Sequence, residues 1–176
     1  MKLAILGIQG SGKGTQAKLI AKEFKLKRVS TGELARKEIK KNSRAGKKLA
    51  KYMNKGKMAP NRIINKLIFQ NTPKNNFIID GFPRDKRQIR TAKKLKIEKV
   101  ILLTLSKKEV YKRIKLRKKL EGRADDTDKA LETRLKLFYK NSPKIIKHFK
   151  DRIIKINGDQ PIRKVFGDIK RGLGKK

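Results

Sequence analysis

Apolar and polar positions fall into two regimes along this chain. Short solid runs, Leu3-Ala4-Ile5-Leu6, Phe77-Ile78-Ile79 and Val100-Ile101-Leu102-Leu103, are separated by longer segments in which apolar residues recur every three or four places. Solid runs bounded by turn residues read as strands buried on both faces, and the longer spacing reads as helices with one apolar stripe. The pattern predicts strands over 3–6, 28–30, 76–80, 99–105 and 152–157. Between them it predicts helices over 15–24, where Ala17, Ile20, Ala21 and Phe24 share a face, then 31–40, 43–55, from Pro60 onward, after Arg84 to 95, 106–120, 128–148 and from Pro161.

Punctuation supports these boundaries. Ser30 with Glu33, and Ser106 with Glu109, have the spacing of a capping box. Gly56 ends a helix, Pro60 and Pro161 begin others, and Ser142-Pro143 is expected to break the one it falls in. A loop is expected over 121–126 and a frayed basic tail over 172–176. Strands alternating with helices predict an α/β fold, a parallel sheet covered on both faces whose ligands bind beyond the carboxyl ends of the strands. At 176 residues one domain is expected.

Composition changes this picture in one respect. Lys and Arg number 52 against 15 acidic residues, a formal charge of +37, which favours anionic partners without choosing among nucleotides, nucleic acid and acidic membrane. Lysines spread over solvated helix faces account for most of it. The absence of cysteine excludes disulfides and Cys zinc sites, and every apolar run falls far short of the ~20 residues of a membrane helix. A cytoplasmic protein without a membrane partner is expected.

Candidate chemistry begins at Gly7-Ile8-Gln9-Gly10-Ser11-Gly12-Lys13-Gly14-Thr15, between the first strand and the first helix. Glycines let successive N–H groups turn toward one anion, the helix offers its N-terminus, and Lys13 adds a mobile positive charge. Gly14 stands where a hydroxyl usually follows the lysine, so Thr15 lies one place later as a magnesium candidate. Asp80, ending an apolar strand, is placed to hold a magnesium hydration shell or to cap a helix. Arg84 follows Pro83, and Arg36, Arg117, Arg123 and Arg134 are further phosphate candidates. The single histidine, His148, falls on a lysine-rich segment and reads as solvated.

Taken together with Ser30-Thr31-Gly32-Glu33 and Arg36, Gly56-Lys57, Asp80-Gly81-Phe82-Pro83-Arg84 and Gln88, Gly122-Arg123 with Asp125-Asp126, Arg134, and Asn157-Gly158-Asp159-Gln160-Pro161, the glycine loop resembles the adenylate kinases across nearly the whole chain. The resemblance implies a P-loop nucleoside-triphosphate-binding fold with a five-stranded parallel core. A small helical AMP-binding arm is implied at about 31–60, and a short lid at about 117–127 without structural zinc. It implies Mg2+-dependent phosphoryl transfer between ATP and AMP giving ADP. ATP would be held by Gly10, Ser11, Gly12, Lys13, Gly14, Thr15, Arg117 and Gln160. AMP would be held by Thr31, Gly32, Arg36, Lys57, Met58, Ala59, Gly81, Arg84, Gln88, Arg123 and Arg134. Lys13, Arg84, Arg117, Arg123 and Arg134 would handle the group in transfer, with Asp80 and Thr15 toward the metal.

Thr31 with Gln88 favours AMP over UMP or CMP, since these residues usually differ in the related pyrimidine kinases. Two departures stand out: Gln9 replaces the family's common proline, and Gln160 leaves the choice of ATP or GTP open. A monomer is the expected state, trimers also being known in the family. Other readings are a kinase for another monophosphate, or an RNA-associated kinase-like ATPase. The latter draws on residues 107–119, with eight basic residues and one acid.

Overall fold

The computed structural model describes residues 1–121 and 127–174. Five parallel strands form one sheet in the order β2-β3-β1-β4-β5. They are β1 (Lys2–Gly7), β2 (Lys27–Ser30), β3 (Phe77–Asp80), β4 (Lys99–Thr104) and β5 (Ile153–Asn157). Central β1 pairs with β3 through Ala4 opposite Ile79, and with β4 through Ala4 opposite Val100. The chain leaves β1 toward β2 on one side and later returns to β4 on the other. The carboxyl end of β1 is therefore a topological switch point, where a crevice opens.

The solid apolar runs fill both faces of this sheet. Ala4, Leu6, Phe77, Ile79, Val100 and Leu102 point into one core with Leu49, Ile68, Ile145 and Phe149. Leu3, Ile5, Ile78, Ile101 and Leu103 point into the other with Ala17, Ile20, Val165 and Ile169. The first core is covered by α2 (Thr31–Lys40), α3 (Arg44–Met53), α4 (Asn61–Asn71) and the carboxyl half of α7 (Asp128–Phe149), the second by α1 (Lys13–Glu23) and α8 (Ile162–Gly172). Two further helices, α5 (Ile89–Lys94) and α6 (Lys107–Glu121), follow β3 and β4. A third cluster, Ile8, Val110, Ile114, Leu131 and Leu135, pins the glycine loop to α6 and α7.

Local expectations meet three corrections. The helix through Ser142-Pro143 is unbroken: α7 carries Pro143 inside it. Leu131 and Leu135 are buried before the proline, and Ile145 and Phe149 after it, so packing at both ends outweighs one lost backbone hydrogen bond. His148 is half-buried rather than solvated, its ring 4.8 Å from that of Phe149. Burial, with Lys93 and Arg152 nearby, holds its pKa below the ordinary value. The segment after Arg84 begins as a 3-10 turn, Lys86–Gln88, before α5.

Both capping serines accept a hydrogen bond from the predicted glutamate's N–H, at 3.4 Å in each case. The glutamate carboxylates turn elsewhere: Glu33 takes a bidentate pair from Arg28 at 2.9 and 2.7 Å, and Glu109 takes Arg113 at 2.7 Å. Gly56 closes α3 with a Schellman pattern, Lys57 N donating to Tyr52 O and Gly56 N to Met53 O. No helix among the described residues is long and apolar enough to cross a membrane.

Candidate functional site

A continuous cleft of about 940 Å³ opens at the carboxyl ends of the strands. On one wall lie Gly10, Ser11, Gly12, Lys13, Gly14 and Thr15, and on the other Thr31, Gly32, Arg36, Lys57, Met58, Ala59, Gly81, Arg84 and Gln88. Asp80 lies between them, and Arg117, Arg134 and Gln160 close the rim. Arg123, and the part of the expected lid at 122–126, lie outside the described residues.

The loop wall is a cradle in the physical sense. Gly12 caps α1 with no side-chain cap bond, so the first N–H groups of that helix face the cleft without a capping partner. Lys13 donates from Nζ to Ile8 O at 2.6 Å and to Ser11 Oγ at 3.4 Å, folded against its own loop. Burial lowers the Lys13 pKa to about 7; Asp80 opposes that shift, and Arg84 and Arg117 add to it.

The opposite wall is built on the turn after β3. Thr31 donates its one hydroxyl hydrogen into that turn, toward Asp80 O and Gly81 O, each at 3.1 Å. The Phe82–Pro83 peptide is cis. Arg84 donates from Nε to Gly81 O at 2.7 Å, so its guanidinium lies across Gly81, which has φ +77°. Gln88, 2% exposed, accepts from Arg84 N at 2.8 Å through Oε1 and donates from Nε2 to Asn61 Oδ1 at 2.7 Å. Arg134 reaches from α7 to Met53 O at 3.2 Å, joining the end of α3 to the rim.

Three side chains escaped sequence reading. Arg28 lines the cleft beside Asp80, its Nη2 3.2 Å from Asp80 Oδ2, and neutralises much of the charge there. Arg113 donates to Gly158 O at 3.0 Å and lines the same rim as Gln160, which itself donates to Asn157 O and Asp168 Oδ2. Asn61 stands behind Gln88. Among fifty-two basic residues no local pattern singles out Arg28 or Arg113; only the sheet order brings β2 beside β3.

Asp80 fits a magnesium site of the kind that relies on few protein ligands. No group of three or more His, Cys, Asp or Glu side chains converges among the described residues. Mg2+ keeps most of its waters and takes one or two carboxylates together with nucleotide phosphates, which a lone buried aspartate facing the loop can serve. The residue's neighbour across the loop is Gly14, whose missing Cβ would stand 3.6 Å from Asp80 Oδ2.

The family model described as adenylate kinase matches residues 5–154. A protein named adenylate kinase from Buchnera aphidicola subsp. Cinara cedri (strain Cc) is 35% identical over 199 residues, covering 93% of this chain and 92% of that protein. Its namesake from Prochlorococcus marinus (strain MIT 9301) is 34% identical over 181 residues, 97% of each chain. That of Bifidobacterium longum (strain NCC 2705) is 32% identical, covering 96% of this chain and 97% of that one.

Proposed function

The chain belongs to the adenylate kinase family, and from that premise we propose how its own residues carry out the reversible transfer of a phosphoryl group from ATP to AMP, giving two ADP. The observation that supports this reading most is the continuity of one cleft from the glycine loop to Arg84 and Gln88. A donor on the loop and an acceptor at Gln88 then share one cleft, which Arg36, Arg84, Arg117 and Arg134 also line.

An AMP phosphate oxygen attacks the terminal phosphorus of ATP, and the bond to the leaving ADP oxygen breaks in line with the one that forms. The acceptor oxygen is already anionic, so no general base is required. The loop N–H groups with Ser11, Gly14 and Thr15 hold the donor phosphates, and Lys13 moves onto them from Ile8 O. Arg36 and Arg84 take the AMP phosphate. Arg117 and Arg134, joined by Arg123, spread charge off the moving group. Arg113, its guanidinium anchored beside Gly158 and Gln160, lies against the donor base. Asp80 and Thr15 are the residues that would hold magnesium, Asp80 through water, and the ion would supply positive charge toward the donor phosphates. Closure of the arm at 31–60 over the cleft excludes water and limits hydrolysis.

A coupled assay with ATP and each of AMP, GMP, CMP, UMP and dTMP, with a no-acceptor control, tests the reading. AMP is expected to be strongly preferred. Preference for another monophosphate would make the chain a different kinase, and turnover without acceptor would point to an ATPase.

Lys13 gives a second test. With its pKa near 7, the ligand-free protein carries a largely neutral Lys13 at pH 8. Anionic phosphates favour the charged ammonium, so ATP binding at pH 8 is expected to take up close to one proton, falling toward none at pH 6. Calorimetry in buffers of different ionisation enthalpy measures the uptake, and Lys13→Met is expected to abolish it.

A further inference from the structure

Gln88 has two N–H donors and an oxygen with two lone pairs. In this fold one of each is already committed: Oε1 accepts from Arg84 N at 2.8 Å, and Nε2 donates to Asn61 Oδ1 at 2.7 Å. A backbone N–H can only donate, so the oxygen of Gln88 must face Arg84, and the amide is not free to flip. That leaves one N–H and one lone pair in a fixed order on a side chain that lines the cleft.

The order matters chemically. Along its pairing edge a 6-amino purine shows an amino donor beside a ring-nitrogen acceptor. A 6-oxo purine shows a carbonyl acceptor beside a ring N–H donor. An amide that could turn over would serve either edge, whereas a locked amide serves one and leaves the other with two facing donors and two facing acceptors. Such mismatches in a buried site cost far more than a missing methylene.

Asn61 is the half of the lock that does not come from the turn itself. It is the first residue of α4, half-buried behind Gln88 and not on the cleft wall. Asp85 caps the 3-10 turn that ends at Gln88, and is itself buried and held by Arg87 at 2.7 Å. Because Gln88 turns its amide nitrogen to residue 61, Asn61 must present its oxygen there, and the bonds from Arg84 N through Gln88 to Asn61 have one consistent orientation.

We propose that Asn61 is a specificity-positioning residue: through the Asn61–Gln88–Arg84 chain it holds the Gln88 amide in the one orientation that accepts a 6-amino purine monophosphate and rejects a 6-oxo one. This rests on the reading of Gln88 as the residue that meets the acceptor base.

The experiment compares kcat/KM for AMP and for IMP, which differ only at the 6-position edge, in the full chain and in Asn61→Ala, Asn61→Asp and Gln88→Ala, with the melting temperature of each. Asn61→Ala is expected to lower the AMP:IMP ratio about tenfold, with little change in kcat for AMP. Asn61→Asp keeps an oxygen toward Gln88 and is expected to retain most of the ratio. A ratio unchanged in Asn61→Ala but reduced in Gln88→Ala overturns the positioning role alone. A ratio unchanged in both overturns the reading of Gln88, and the inference with it. Equal loss of ratio in Asn61→Ala and Asn61→Asp would show that an acceptor oxygen at position 61 does not hold Gln88, and would also overturn the lock.

Discussion

Arg84→Ala is expected to lower turnover of ATP with AMP by about a thousandfold while leaving the melting temperature within a few degrees of the parent. The size follows from what one arginine is worth at a transferring phosphoryl group, 10³ or more in kcat. The small effect on stability follows from its surroundings: Arg84 is exposed, and no apolar core among the described residues packs on its guanidinium. Its Nε bond to Gly81 O explains why lysine should not rescue the enzyme. Nε fixes the guanidinium plane against the turn in a planar fork that lines the cleft, an arrangement that a single ammonium cannot reproduce. Arg84→Lys is therefore expected to recover no more than about tenfold of the loss. A single-turnover measurement separates chemistry from release, and transfer within tenfold of the parent in Arg84→Ala would show that other cations carry the group.

The second large effect is expected at Gly56. This residue is buried, with φ +66°, and a Cβ built on it would meet the backbone of α7: Ala130 O, and Ala130 Cα at 2.8 Å. The helix cannot yield cheaply, because Ala130 and Leu131 are 1% and 2% exposed. Left-handed strain costs about 1–2 kcal/mol, and overpacking adds about 1–3 kcal/mol. Gly56→Ala should thus lose roughly 2–5 kcal/mol, which for a chain of this size lowers the melting temperature by roughly 5–15 °C. The damage has a direction. Gly56 ends the α3 turn whose Met53 O is held by Arg134, so displacing it moves the AMP wall and an arginine of the rim together. The KM for AMP should rise about tenfold with the KM for ATP little changed, a split expected of lost substrate positioning on one wall only. Equal rises in both would mean general loosening instead.

The strands were legible because a parallel sheet buries both faces, and a run such as Phe77-Ile78-Ile79 has no other stable placement. The glycine loop was legible for a similar reason: strand, glycines, lysine and helix are contiguous, so the local sequence carries the whole cradle. The expected AMP-side residues were readable only as a set of motifs spread along the chain, and the structure brings the described ones to one cleft. Pro143 shows the opposite case. Its local propensity to break a helix is real, yet apolar residues on either side dock α7 onto two clusters and hold it continuous.

Sequence by itself determined the kind of fold, the family, and the residue types at both walls of the cleft, because these rest on periodicity and on contiguous motifs. Tertiary structure alone placed two further cations at the cleft: Arg28 faces Asp80 because β2 lies beside β3, and Arg113 meets Gly158 because α6 returns over β5's end. It also decided how Gln88 is oriented, since Asn61 reaches Gln88 and Arg84 only when α4 packs against the turn after β3. Charge and hydrogen bonds act over a few ångströms, and along the chain Asn61 and Gln88 stand 27 positions apart.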